Sequence, residues 1–570
     1  MILEGYSSNE HVRTDVCIIG GGPAAISVAL EILKGSAKVL MLVGGGHTRE
    51  SASDQDLNRG IIARPGSHEG LEENRRRVFG GASTAWGGRC IPFDPVDFKP
   101  RSWVPDSGWP FPYEVLEPHY LRAIDLCRAG RYQFDSRLVF PENDKEVISG
   151  LSNDDLDSWH LERWSPPVNF AREFEDKLNS HPNLTVLLNT HVLQIDSMTS
   201  SEKIDFVHAI SHSHRFSVQA KVFVLATGGI ENARILLTSR GQLHPNGVGN
   251  SRDLVGRYYQ AHPHGTYALL APTDRESIKY EYELDSDGVY CRRRWWISEE
   301  AQNRLAINNI VFFLDRINSA QGHRDVVFSA VFLAKAALSI ARTRGFTRKL
   351  SKLRSMLPTL PEHLTVVAKD GIASVPRLTR LMLARMSKRR RLPQILPSVH
   401  SRYLGLYFQA EQTPNPDSRI TLAEDQLDEH GIPRAKVDLR FTDQDLRTIV
   451  EAHRLFVERF RAADAGEIVF DEPGLVEYMN NRFLRFNSAA HHIGTTRMAI
   501  SPEKGVVDQN SKIHGVDNFY VAGSSVFPTG GHANPTLTIV ALSNRLGEHI
   551  ADRFARNEFG LDKPDRRRTE

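Results

Sequence analysis

Thr14-Asp15-Val16-Cys17-Ile18-Ile19-Gly20-Gly21-Gly22-Pro23-Ala24-Ala25 decides the fold. An apolar run that stops at three glycines reads as a buried parallel strand entering a tight turn. Ala24 to Leu33 has helical composition, and Lys38-Val39-Leu40-Met41-Leu42-Val43 reads as a second strand. The whole is a βαβ unit of about thirty residues, the size of a dinucleotide-binding unit. Gly20 permits the turn and Gly22 lets backbone approach a pyrophosphate. Ala25 lets helix and strand pack closely. Pro23 and Ala24 open a helix whose free N–H groups face the phosphates.

One expected part is missing. The second strand of such a unit usually ends in an acidic residue that binds the ribose hydroxyls. Val43 stands there, followed by Gly44-Gly45-Gly46. Either another group, such as Glu50, makes those bonds or the ribose is held less tightly. No clear clamp for a 2′-phosphate replaces the carboxylate.

Working outward, Lys221-Val222-Phe223-Val224-Leu225-Ala226 reads as a further buried strand, ending at Gly228-Gly229 with a helix from about Glu231. Residues 113–130 and 170–180 read as helices, and 184–188 and 192–195 as strands. Gly80-Gly81-Ala82-Ser83-Thr84-Ala85-Trp86-Gly87-Gly88 is loop-like, with glycines that let backbone N–H groups lie against a flat ring. Near the other end, Ala490-His491-His492-Ile493-Gly494-Thr495-Thr496 precedes Val521-Ala522-Gly523-Ser524-Ser525 and Asn534-Pro535-Thr536-Leu537-Thr538. His491 is suited to take a proton from a hydroxyl, and Asn534 to donate an N–H to the same oxygen. His492 is expected to point elsewhere, and His532 to line the pocket.

The four cysteines, Cys17, Cys90, Cys127 and Cys291, form no disulfide framework and no metal-ligand spacing. No metal is expected. Met1 to Val12 has no apolar core of a signal peptide, and no run of eighteen apolar residues occurs, so a cytoplasmic protein is expected. Net charge is +2, which argues against a general polyanion partner. Val331 to Arg391 departs from this average. It holds fifteen Lys/Arg against Glu362 and Asp370, a local +13 that leaves −11 for the rest. Solvated helix faces, or a surface for anionic membrane or an acidic partner, fit such a segment. Nucleic acid does not, for want of interleaved aromatics.

Taken together these residues resemble the glucose–methanol–choline (GMC) oxidoreductases. The family's HxxGT motif matches His491 to Thr495, and its GVVD element matches Gly505-Val506-Val507-Asp508. Asn534 within Asn-Pro-Thr-Leu-Thr is similar to the bacterial branch related to pyranose oxidases and sugar dehydrogenases. The stretch Val255 to His264 is also similar to that branch.

The resemblance implies an α/β fold: a discontinuous Rossmann-like FAD domain (12–100, 180–260, 485–556) and a substrate domain on an antiparallel sheet (101–179, 261–484). Glu411 to Leu422 and Ala435 to Leu439 are expected strands of that sheet. Residues 557–570 form a charged tail. The resemblance implies FAD held by Gly20, Gly22, Pro23, Ala24, Ala25, Gly80, Gly81, Ser83, Thr84, Trp86, Gly87, Gly88, Ala226, Gly523, Ser524, Asn534, Pro535 and Thr536. Ala85 stands where pyranose oxidases carry a flavin-linking His, so non-covalent FAD is expected. The implied chemistry is oxidation of a secondary alcohol, best a sugar or glycoside hydroxyl, to a ketone, with His491 as base and oxygen, a quinone or a redox protein as acceptor. A sterol, polyketide or other lipid-like alcohol is the alternative substrate. A lyase or a non-catalytic flavoprotein is the alternative class.

Overall fold

Val12–Ile19 lies in the middle of a sheet, and its last four residues are buried. We describe the molecule from a computed structural model covering residues 1–143, 145–315, 325–342, 360–371, 375–386, 391–399, 401–486 and 489–559. On one side Val12–Ile19 pairs in parallel with Val39–Leu42, which pairs with Leu184–Leu187, which pairs with Ile2–Leu3. On the other side it pairs in parallel with His214–Leu225, whose last residues also pair in parallel with Phe519–Val521. The first residues of His214–Leu225 pair antiparallel with Phe206–Ser211, which pairs with Thr190–Asp196. The parallel strands therefore deliver the loops after Ile19, Leu42, Leu225 and Val521 to one carboxyl edge, where open α/β sheets bind ligands.

Helix Pro23–Ile32 returns across the sheet and packs against helix Thr536–Ala555. Gly547 permits that approach, since a Cβ there would stand 2.6 Å from Glu31 Cβ. Helix Glu117–Leu126 packs on the same C-terminal helix, and Tyr120 Oη lies 2.9 Å from Thr538 Oγ1. Ile18, Ile26, Val28, Tyr120, Val224 and Val540 share one core without solvent exposure. Burying each such large apolar side chain contributes roughly 1.5–3 kcal/mol before entropy is subtracted. Trp109, Tyr120, Phe170 and Phe174 belong to this core, although the sequence reading assigns 101–179 to the substrate side.

The second sheet is antiparallel. Its strands run, in spatial order, Gly466–Val469, His264–Pro272, Leu404–Ala410, Ile310–Asp315, Tyr290–Ile297, Leu156–Trp164 and Arg89–Cys90. The two-residue alternation of a strand sorts its faces. Phe312, Leu406 and Phe408 enter a second core, where Phe456 of helix Asp443–Ala462 packs on Phe312 and Trp295. Phe313 and Tyr407, one residue along, line a cavity.

The strand pair expected within 411–439 is corrected. Leu404–Ala410 is the sheet strand and stops before Glu411. Pro414 and Pro416 lack the N–H that a ladder requires. Arg419–Leu427 and Pro433–Asp438 instead pair with each other and with Ile61–Ile62 in a separate three-stranded sheet. Much of the basic segment 331–391, and the tail beyond Phe559, lie outside the described residues. No helix among the described residues is long and apolar enough to cross a membrane.

Candidate active site

Three helices begin at the carboxyl edge of the parallel sheet without a side-chain cap. Pro23–Ile32 follows Gly22, Gly229–Thr238 follows Gly228, and Thr536–Ala555 follows Pro535. The opening N–H groups of a helix have no intrahelical acceptor and carry its positive end. All three starts line one cavity of about 510 Å³.

The lining has the form of a dinucleotide site. A Cβ built on Gly22 meets only Gly81 Cα, at 3.9 Å, and one on Gly87, Gly228 or Gly523 meets nothing within 4 Å. These four glycines thus keep open a trough floored by backbone. Gly20 serves differently: its φ is +127°, and a Cβ there would strike Ala226 O, which closes the loop after Leu225 against the first turn. FAD fits this lining, because pyrophosphate oxygens accept from bare N–H groups and a flat ring lies against side-chain-free backbone.

Of the residues expected to hold the cofactor, Gly20, Gly22, Pro23, Ala24, Gly81, Ser83, Trp86, Gly87, Gly88, Ala226, Gly523, Ser524, Asn534, Pro535 and Thr536 line this cavity. Ala25, Gly80 and Thr84 do not. Ala25 is fully buried in its helix, and Gly80 faces the Asn169 side chain. Thr84 turns its hydroxyl back to donate to Gly81 O. Ser83 and Trp86 secure the loop: Ser83 Oγ accepts from Phe170 N, and Trp86 Nε1 donates to Val168 O. Ala85 also lines the cavity, with only a methyl group to offer.

At the far end Val43 and Gly44 line the wall. Glu50, the expected substitute carboxylate, is not part of this wall, because it accepts from Arg77 N and Asn58 Nδ2 and so braces the loop behind. Glu73 lines the cavity, and so does Glu231, which the sequence reading missed. Glu231 is paired with Arg75, Arg77 and Arg234, whose charges hold it far below the usual carboxylate range despite burial.

His491 and Asn534 line the same cavity. His491 reaches it through an isolated antiparallel bridge in which Gln260 and Ile493 exchange both backbone hydrogen bonds. Two residues along each strand, such a register sets His262 opposite His491. Their Nδ1 atoms are 2.7 Å apart. Burial, with His262, His264, Arg89 and His492 nearby, holds His491 well below the usual histidine pKa of 6.5, so the ring is neutral at pH 7. Gly229 lets this segment ride over a helix start, since any Cβ there would enter His492. His492 stacks near His68 at 6.3 Å and is held to about 3 by burial and by His68 and Arg75. His532, expected in the pocket, lies behind it, bonded to Asp94 at 2.9 Å and to Arg294.

A second cavity of about 440 Å³ meets the first at Gly87, Arg89 and Asn534. Trp164, Tyr282, Phe313 and Tyr407 line it beside Glu162 and Arg292. Sequence patterning alone gave no sign of this wall, since these members come from four strands and a loop.

Residues 414–543 match the GMC oxidoreductase family model. The chain is 23% identical to paromamine 6'-oxidase of Streptomyces fradiae over 96% of its own length and 93% of that protein's. It is 23% identical to the fructose dehydrogenase large subunit of Gluconobacter japonicus, covering 95% and 98%. Among solved structures it resembles pyridoxine 4-oxidase from Mesorbium loti, with a TM-score of 0.55 at 15% identity over 94% and 99% of the two chains. The match over residues 414–543, the near full-length relatives and the shared fold make this chain similar to the GMC oxidoreductases.

Proposed function

We propose that the protein is an FAD-dependent oxidoreductase that oxidises a secondary alcohol, a sugar or glycoside hydroxyl, to a ketone. The observation that carries this is the meeting of His491 and Asn534 with the bare helix starts on one cavity wall. Bound FAD supplies the acceptor for the hydride lost from the alcohol carbon. The chain's own residues do the rest. His491, neutral and buried, takes the hydroxyl proton. Asn534 donates an N–H to the oxygen and stabilises the charge that develops there. Aromatic rings beside charged side chains in the second cavity suit a polyol, with rings under its C–H faces and charges at its hydroxyls. The full-length relatives named for sugar-like substrates support the same class.

Within this reading the FAD is non-covalent, because Ala85 offers no linking atom. The division at 12–100, 180–260 and 485–556 against 101–179 and 261–484 remains our proposed domain assignment, with 109–126 and 170–180 docked on the FAD side. One observation favours a lipid-like alcohol as a second reading. Val375, Met382, Leu383 and Met386 form an exposed apolar stripe on helix Val375–Met386, with Arg380 beside them. Such a face, within the basic segment, suits an anionic membrane surface.

The test is an anaerobic visible spectrum of the purified protein with sugars, glycosides and lipid alcohols. Bleaching of a flavin band by sugars supports the first reading, and bleaching by lipid alcohols the second. His491→Ala is expected to slow bleaching by about 10²- to 10⁴-fold at unchanged flavin content. An unchanged rate would refute the assignment of the base. Because its ordinary pKa is depressed, His491 stays unprotonated at pH 6.5, so kcat/KM should hold level from pH 8 to 6.5 and fall only at lower pH.

A further inference from the structure

We propose that two hydrogen-bond relays fix which side chain at the site accepts the proton and which donates a hydrogen bond, with His262 and Gln409 as the positioning residues. The proposal rests on the alcohol-oxidation reading and concerns groups behind His491 and Asn534.

The first relay starts at a carbonyl. Gly530 O can only accept, and His262 Nε2 lies 3.2 Å from it, so Nε2 carries the hydrogen. A neutral imidazole then keeps its lone pair at Nδ1, and burial, which depresses the His262 pKa to about 4, keeps it neutral. That lone pair faces His491 Nδ1 at 2.7 Å. His491 Nδ1 must therefore be the donor, which leaves the lone pair of His491 on Nε2. Among the described residues no protein group bonds that Nε2. His264 is turned away from this relay, its Nδ1 donating to His262 O at 2.8 Å.

The second relay starts at a cation. Arg89 can only donate, and its Nη1 lies 3.2 Å from Gln409 Oε1. This orients the Gln409 amide: Nε2 becomes the donor, to His532 O at 2.5 Å and to Asn534 Oδ1 at 3.2 Å. With Oδ1 engaged as acceptor, Asn534 keeps its Nδ2 hydrogens for the cavity. Arg89 is itself fixed by an ion pair to Glu162 and by the Phe313 ring, 4.9 Å from its guanidinium carbon.

The two ends are complementary to one group. A hydroxyl needs a lone pair for its proton and a donor for its oxygen. Reversing either relay would present two donors or two acceptors, and the alcohol would lose one contact. His262 comes from the backbone bridge at Gln260 and Ile493, and Gln409 from the strand Leu404–Ala410. The first relay thus shares one backbone bridge with the residue it orients, whereas Gln409 sits on a strand separate from Asn534.

The test is nitrogen-15 NMR of the histidine-labelled holoenzyme, with His491→Gln used only to identify the His491 signals. The expected result is His491 protonated at Nδ1. A wild-type His491 protonated at Nε2 would overturn the first relay. Kinetics then separate polarity from packing. His262→Leu should slow anaerobic flavin reduction about tenfold or more, whereas His262→Asn, whose Oδ1 replaces the accepting Nδ1, should recover to within about threefold of wild type. Gln409→Glu, which turns the donor into an acceptor, should be slower than Gln409→Met at equal flavin content. Equal rates within both pairs would mean that these residues only fill space. Should His491→Ala leave reduction unchanged, the alcohol reading fails, while the tautomer spectrum still reports on the relay.

Discussion

The two cavities that meet at Asn534 are made of different material. The larger is walled by glycines and by three helix starts without caps, so it offers backbone N–H groups. The smaller is walled by rings, guanidinium groups and carboxylates. Away from both, helix starts are closed by their own side chains: Ser51, Asn169, Ser298 and Asp471 each accept from the first turn they precede. Helix Glu117–Leu126, which continues a short 3₁₀ turn, is an uncapped start away from the cavities. A helix that omits its cap leaves donors for something else. Under the proposed function, the contrast gives backbone recognition to the cofactor and side-chain recognition to the substrate.

Substitutions can break that division. The largest effect is expected from Gly22→Val, whose side chain would fill the trough beside Gly81. Loss of one or two phosphate contacts should weaken FAD binding by about 10- to 150-fold, read by flavin fluorescence on titrating the apoprotein. Far-ultraviolet circular dichroism should not change, since little protein lies in the way. Undiminished affinity would mean that the trough holds no pyrophosphate. A smaller effect is expected in the other cavity. Phe313→Ala removes the ring that Arg89 and Arg292 face at 4.9 and 5.3 Å, and should raise KM about tenfold while flavin content stays whole. Flavin loss in this variant would show the two walls to be one. The smallest concerns Val43→Glu, which restores a ribose-binding carboxylate and should tighten FAD two- to tenfold, on the order of one net hydrogen bond. Weaker binding would show that burial of the carboxylate outweighs the bond it makes.

How much of this was legible in the sequence follows from where each signal is written. The strand–glycine–helix unit at 14–43 is local, and the structure repeats it nearly residue for residue, with Val12–Ile19, Pro23–Ile32 and Val39–Leu42. His491 and Asn534 stood out because short motifs surround them. Glu231 and the arginines at 75–77 did not, since their role arises from pairing across more than 150 residues. Gln409 carries no motif of its own, and His262 lies in the 255–264 stretch without an assigned role, because a bridge and a strand register, not a local pattern, bring them into place. The strand expected at 411–422 crosses Pro414 and Pro416, which lack the N–H a ladder requires, so only its end, from Arg419, is a strand, and in a different sheet.

The strand Phe519–Val521 has a consequence for how the molecule comes to be made. It completes the parallel sheet beside residues 223–225, and helix Thr536–Ala555 then covers helix Pro23–Ile32. The glycine turn at 20–22 is synthesised first, but its cavity gains its last wall some five hundred residues later. Pairings so distant in the chain form slowly and after the local ones. Cofactor loading is thus a late event in biogenesis. Until it happens, the N-terminal unit waits as a half-built sheet with an open edge, the kind of surface that chaperones protect.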